Sequence, residues 1–523
     1  MAEPAPPPFI QALCGPSLDG KPTSGIRLVE THISWIILTG QYAYKIKKPV
    51  DFGFLNFSTL ALRQRFCHEE IRLNRRLAPL LYEGVVPITQ ESEQVEFNGS
   101  GQVLEYAVKI KQFDESGLAD RLLEQNRLSP VQIDELAYTL AVFHKQAPQA
   151  APSGPHGKPE NILAAAEHNF EALVSLCGGE LGNLQSWTRA EFQRLRSLFQ
   201  ARKTAGFVRE CHGDLHSGNL VLIGKDLIPF DCIEFSDDLR WIDCMSEIAF
   251  LFMDIDVHGR PDLAWRLLNR YLEFSGDYPG LQILNFYCVY RALVRAKVAA
   301  LGLEQACRAD ERSRLKTQCY RYLEYAGRAK NQAPVLLITH GFSGSGKSYY
   351  AKALAERLPA IRIASDLERK RLAAANAPMP GHSQPSGQGG IYSVSMTRHT
   401  YGLLLQHAEC LLQSGFNVVL DATYLDAANR YPCLDLSQRL GVRFFILDFH
   451  ASKALLSERI AARLFGGDGD SEATPAVLAM QMTRAKPLEA REIPFVLTVD
   501  ASSDGGIDGI LHSIGKSKVT MAQ

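Results

Sequence analysis

The run Val335-Leu-Leu-Ile-Thr339, followed at once by Gly341-Phe342-Ser343-Gly344-Ser345-Gly346-Lys347-Ser348, limits what this chain can fold into more than any other stretch. A short apolar run predicts a strand buried on both faces. The glycine spacing then predicts a tight turn whose backbone N–H groups converge, and Ser348 to Leu358 reads as the helix that follows. Strand, turn and helix in that order form a phosphate cradle. Its amides and the helix N-terminus favour anions, Lys347 adds a point charge for the β- and γ-phosphates, and Ser348 offers a hydroxyl to magnesium. Residues 341–349, ending on Tyr349, are therefore the expected nucleotide-binding set, with ATP and Mg2+ as the ligands.

The surrounding residues repeat the same alternation. Apolar runs at 361–364, 417–421, 442–448 and 495–499 alternate with helical stretches such as Thr397 to Gln413. That pattern predicts a doubly wound α/β domain with a parallel sheet over residues 331–523. Asp366 follows the second strand, where a carboxylate can accept a hydroxyl proton; its second reading is a helix N-cap. Asp421 ends a buried strand, in the position from which an acid holds a metal's water shell. Arg459 and Arg463 share a helix face before the Gly-rich 465–470, as expected of a lid over transferring phosphate, or else form a solvated face. These features resemble the small P-loop kinases of the polynucleotide-kinase, gluconate-kinase and zeta-toxin type. The resemblance covers 335 to about 500 and implies that Asp366 is the base and that Arg459 and Arg463 are lid residues.

Residues 1–330 read differently. Strand signals gather early (Ser34 to Leu38, Ala43 to Ile46, Gln102 to Lys111) and helices dominate later, predicting an α+β domain of two lobes. Glu210-Cys-His-Gly-Asp-Leu-His-Ser-Gly-Asn219 contains H-x-D-x-x-x-x-N, and Pro229-Phe-Asp-Cys follows. This is catalytic-loop logic: Asp214 for the attacking hydroxyl, Asn219 and Asp231 for metal. Cys211, His212 and His216 also offer metal ligands, but no second ligand cluster completes them. A lysine on a strand and a helical glutamate should accompany the loop. Lys45 is the first choice and Lys47, on the same strand face, the second; Glu70 is preferred to Glu69 because Phe66, Leu73 and Leu77 form an apolar stripe beside it. No G-x-G-x-x-G precedes the lysine strand, and Thr31 to Ser34 is the expected substitute. Asp243 is the expected anchor of the catalytic loop. Arg291 and Arg295 share a helix face, with acceptor binding or ion pairing as the two readings. Asp254, Asp256 and Asp262 are the acidic candidates for an acceptor site.

The His-Gly-Asp-Leu-His-x-x-Asn stretch resembles the aminoglycoside phosphotransferase family and its choline-kinase-like relatives. The whole chain resembles the bacterial fusion of such a kinase-like domain with a P-loop kinase, also described as an AAA-type ATP-binding domain. That resemblance implies two ATP sites with magnesium and leaves both acceptors open.

Composition narrows the partners. Fifty-six basic against fifty-seven acidic residues give a formal charge of -1, so no global footprint for nucleic acid or an anionic membrane exists. No apolar run reaches the length of a membrane span, and the cysteines show no C-x-x-C pair. The expectation is a cytoplasmic phosphotransferase acting on alcohol groups of small molecules. One catalytic domain beside a regulatory ATP-binding module, and a nucleotide-gated scaffold, are the alternatives.

Overall fold

Along Ser34–Leu38 and Tyr42–Lys47 successive side chains face opposite ways, as a pleated backbone requires. Trp35, Ile37, Tyr44 and Ile46 enter one core with Ile10 and Leu13. Ile36, Leu38, Ala43 and Lys45 line a cavity on the other face. This computed structural model describes residues 6–15, 17–18, 21–22, 26–53, 55–177, 181–306, 308–328, 333–375, 393–466, 474–500 and 506–516.

The chain divides into two compact units, residues 1–259 with 286–327 and residues 260–285 with 328–523. The boundary expected near 331 lies outside the described residues. The expected domains also assigned 260–285 to the N-terminal half, whereas these residues group with the C-terminal unit.

The first unit opens with six principal strands: β1 (Arg27–Glu30), β2 (Ser34–Leu38), β3 (Tyr42–Lys47), β4 (Tyr82–Glu91), β5 (Gln94–Phe97) and β6 (Gln102–Lys111). They form one antiparallel sheet in the order β1-β2-β3-β6-β4-β5. The helix Leu60–Asn74, capped by Thr59, which accepts from the Leu62 N–H, packs on the sheet through Cys67 and Ile71. That packing turns Glu70 toward β3. Helices follow, among them Pro130–Gln146, Gly182–Thr204 and Cys244–Val257. Two antiparallel pairs interrupt them: β7 (Val208–Glu210) with β10 (Trp241–Asp243), and β8 (Leu220–Ile223) with β9 (Asp226–Pro229). The residues between β7 and β8 are the H-x-D-x-x-x-x-N segment. Two lobes of the expected α+β kind result.

In the second unit five parallel strands, β11 (Val335–His340), β12 (Ala360–Ala364), β13 (Asn417–Asp421), β14 (Arg443–His450) and β15 (Val496–Asp500), take the order β12-β13-β11-β14-β15. Their apolar runs bury Val335, Leu337, Val419, Phe445 and Leu447 with the helix Lys347–Arg357. This is the expected wound parallel sheet, with the loop after β11 at the C-terminal edge. β12 is an edge strand, a row of unpaired backbone groups unless something covers it. The helix Pro261–Ser275 does so: Asn269 Nδ2 donates to Ala360 O (2.9 Å), and its Oδ1 accepts from the Arg362 N–H (2.8 Å).

His407, on the helix Val394–Gln413, is held neutral. Burial, aided by the nearby Arg371 charge, lowers its pKa from 6.5 to about 4. An unfolded chain takes up this proton below pH 6.5 while the folded one resists until about pH 4. Stability contributed by the neutral ring is therefore complete above pH 6.5 and lost as pH falls to 4, by on the order of 3 kcal/mol. Urea unfolding of the intact chain at pH 7 and pH 4.5 measures this, and His407→Gln is expected to shrink the difference.

Candidate active sites

In the first unit Lys45 and Lys47, two residues apart on β3, both reach Glu70. Lys45 Nζ lies 3.0 Å from Oε1 and Lys47 Nζ 2.7 Å from Oε2. Lys45 also pairs with Asp231, and Lys47 with Glu234. Burial alone would raise the Glu70 carboxyl; the two ammonium groups overcome it and lower the pKa to about 2. Lys45 stays charged despite burial for the same reason, with Asp231 its strongest partner. Only Lys45 of the two lysines lines the cavity, which has a volume of about 550 Å³. Glu69 turns away to Arg72 and Arg240. The structure thus brings Lys45 and Glu70 together and turns Glu69 elsewhere.

The cavity floor is apolar, made by Ile36, Leu38, Ala43, Ile110 and Phe230, and Asp231 closes it. Thr31 and Ser34, the expected substitute for a glycine-rich loop, instead bond each other across the β1–β2 turn. Asp231 has φ +64°, a left-handed backbone rare outside glycine. Asn219 Nδ2 donates to the Asp214 backbone carbonyl (2.9 Å) and carboxylate (3.0 Å). Asp214 is kept ionised: burial would raise its pKa, but His216 and the Arg295 guanidinium hold it well below the usual carboxylate range.

Glu247, which sequence reasoning missed, anchors this loop. It accepts from the His212 and Gly213 N–H groups (2.7 and 2.8 Å) and lies 2.8 Å from His144 Nε2. Asp243, expected in that role, is taken by Arg202 through two 2.8 Å bonds and caps the helix Cys244–Val257. An acid one helical turn further in is the one that can face the loop. Glu247→Ala is expected to cost about 3–5 kcal/mol, because two backbone donors and a histidine lose their buried partner. Thermal unfolding checks this, with Glu247→Gln the milder case.

Other expected roles shift as well. Arg291 donates to Gly213 O (3.2 Å) and to Ser246 Oγ, so it braces the loop; Arg295 Nη1 lies 3.1 Å from His216 Nε2. Asp254 is buried and accepts from the Ser217 N–H (2.8 Å) and from Tyr322, which spends it on structure. Cys211 does not group with His212 and His216: its sulfur lies with His144 and Cys244, all three ligand atoms within 4.8 Å and buried.

In the second unit Gly344 has φ +86°, and a Cβ there would meet Leu456 O at 2.9 Å, so the loop admits only glycine at this point. Lys347 Nζ donates to Phe342 O (2.6 Å). Gln481, from the helix Pro475–Arg484, grips the loop from the side: its Oε1 accepts from the Ser343 N–H and its Nε2 donates to Ser343 Oγ, each at 3.0 Å. A cavity of about 500 Å³ opens beside the loop. Of the residues singled out in the sequence, Lys347, Ser348, Tyr349, Asp366 and Asp421 line it. Asp366 sits in the first turn of the helix Ser365–Ala375 and pairs with Arg369 (3.0 Å).

The lid residues are placed less simply. Arg459 Nη1 lies 3.5 Å from Gly344 O, and the Arg463 side chain is outside the described residues. Among the described residues the arginines lining the cavity are Arg362, Arg369, Arg398 and Arg484. Arg398 and Arg484 are exposed, and a lone exposed arginine carries no sequence signal. Asp421 Oδ2 accepts from Arg362 Nε at 2.9 Å and Nη2 at 2.5 Å.

Both sites suit a hard cation. Asn219 and Asp231 in one, and Ser348 and Asp421 in the other, present only oxygen donors, the set magnesium takes together with substrate phosphates.

Two family profiles match the chain. That of the phosphotransferase enzyme family covers residues 55–284, and one described as an AAA domain covers 336–488. An uncharacterised protein of Mycobacterium tuberculosis strain H37Rv is 30% identical over 469 residues, spanning 87% of this chain and 89% of the relative. The chain belongs to this two-domain family. Among solved structures, a choline/ethanolamine kinase family protein from Mesorhizobium loti aligns over 61% of this chain and 94% of its own (TM-score 0.38, 11% identity). A putative kinase from Chloroflexus aurantiacus aligns over 35% of this chain and 98% of its own (TM-score 0.28, 21% identity). The two profiles make both halves kinase-like and imply phosphate transfer in general, with ATP as the nucleotide. Among the described residues no helix is long and apolar enough to cross a membrane.

Proposed function

We propose that both units transfer the γ-phosphoryl group of ATP to hydroxyl groups of small molecules, each at its own site. What supports this reading is that each unit places a lysine on a cavity beside a carboxylate: Lys45 lines the first, where Asn219 bonds both Phe230 of the lining and Asp214, and Lys347 and Asp366 both line the second. In the first unit Lys45, steered by Glu70, holds the α- and β-phosphates, and the adenine lies on the apolar floor between β2 and Phe230. Asp214 accepts a hydrogen bond from the acceptor hydroxyl and orients it. The hydroxyl oxygen bonds phosphorus as the β–γ bridging bond breaks, ADP leaves, and Asp214 receives the proton. Its low pKa suits orientation more than early proton removal, which a loose transition state does not require. Asn219 and Asp231 would hold magnesium, which neutralises phosphate charge when bound.

In the second unit the loop amides and Lys347 cradle the β- and γ-phosphates. Asp366 orients the second acceptor, Ser348 and Asp421 would hold magnesium, and Arg369, Arg398 and Arg484 face the developing charge. Arg459 and Arg463 remain candidates for the lid. Cytoplasmic placement fits the many buried free cysteines, Cys67, Cys211, Cys232 and Cys433 among them.

Incubation with γ-labelled ATP and a dialysed metabolite extract tests the acceptor chemistry. Phosphate esters of alcohols survive neutral hydroxylamine, whereas acyl phosphates release their label. Hydroxylamine-stable product supports the reading, and label confined to hydroxylamine-labile product overturns the alcohol acceptor.

A further inference from the structure

Arg362 is the most deeply buried of the charged residues that line the second cavity, 1% exposed, and its partners come from two directions. On one side Nε and Nη2 both engage Asp421 Oδ2, and among the described residues no protein donor reaches Asp421 Oδ1. On the other side Nη1 donates to Glu273 Oε1 (2.5 Å). Glu273 lies near the end of the helix Pro261–Ser275, in the segment 260–285 of this unit, and its second oxygen is held by Arg270. Asn269, one turn earlier on that helix, fixes the Arg362 backbone. A planar fork pinned at both edges sets the plane of the carboxylate it touches.

We propose that Glu273 and Arg362 are positioning residues of the P-loop site: they lock the Asp421 carboxylate so that one oxygen stays committed to Arg362 while the other faces the cavity for a divalent cation. The inference rests on the reading of Asp421 as the residue that would hold the metal. Arg362 alone would offset the negative charge that the cation needs. Glu273 offsets part of the guanidinium charge, so that Asp421 keeps more of its negative charge for the cation. The P-loop site is thereby completed by a residue from well upstream of the loop, within the stretch that the phosphotransferase profile matches.

The test is binding of a fluorescent ADP analogue to the intact chain, with and without Mg2+, counting only the component that Lys347→Ala removes. Glu273→Gln keeps the size and one acceptor of the side chain but not its charge. It is expected to weaken the Mg2+-dependent gain in affinity about tenfold, the scale on which a neighbouring charge acts, and to leave metal-free binding unchanged. Arg362→Lys keeps the charge without the fork and is expected to fall between wild type and Glu273→Gln. A merely structural role would lower the melting temperature and change both affinities together. An unchanged ratio of the two affinities in Glu273→Gln overturns the proposal. If wild type shows no component that depends on Lys347, the P-loop nucleotide reading itself falls, and this inference with it.

Discussion

Replacing Asp214 by Asn is expected to lower transfer by the first unit about 10²- to 10⁴-fold, the range over which a positioned carboxylate assists a proton-coupled step. The substitution preserves size but converts one accepting oxygen into a donor. In the wild type Asn219 Nδ2 donates to that carboxylate, so in the variant Asn219 and the acceptor hydroxyl would compete for the one remaining oxygen and the hydroxyl would lose its orientation. Nucleotide binding is expected to survive, because Lys45, Glu70 and the apolar floor are untouched. Steady-state kinetics on the labelled product separate the two: kcat falls while the KM for ATP stays within a few-fold. A matched fall in ATP affinity would instead place Asp214 in nucleotide binding.

Lys347→Ala is the second large effect. It removes the lysine that, among the described residues, lines the second cavity and is proposed to hold the β- and γ-phosphates, and it leaves the loop amides in place. Loss of a single preorganised donor to developing charge typically costs 10²- to 10³-fold in rate, and a similar loss is expected here. The Lys347 ammonium donates to Phe342 O and lies 3.5 Å from Ser345 Oγ of its own loop, and an unchanged melting temperature is the check that the fold tolerates its loss. Transfer by the second unit, measured by product mass, is the readout, with the first product as an internal control.

The sequence was most legible where backbone requirements are strict. The five strands of the second unit fall within two residues of the apolar runs, because parallel strands buried on both faces must be continuously apolar. The loop from Gly341 to Ser348 was legible because each glycine answers a steric demand. Asp214, Asn219 and Asp231 were read from spacing around one loop, and Lys45 from its place on an early strand. Glu247 was missed because its role depends on which turn of a helix meets the loop, and Asp243 has the same chemistry one turn away. Arg362 and Glu273 were missed for a different reason: an arginine inside an apolar strand has no local partner, and its counter-ion sits 89 residues upstream. Spacing rules do not reach across such a distance. Arg398, Gln481 and Arg484 share that limitation, since each depends on a helix folding back over the loop.

The most direct test of two separate phosphotransfer sites compares wild type, Asp214→Asn, Lys347→Ala and the double variant in one γ-labelled transfer experiment with a dialysed metabolite extract. Two sites predict that each single substitution removes a different product or step and that the double variant removes all labelling. Labelling that persists unchanged in the double variant would contradict the account and leave the protein a nucleotide-binding module.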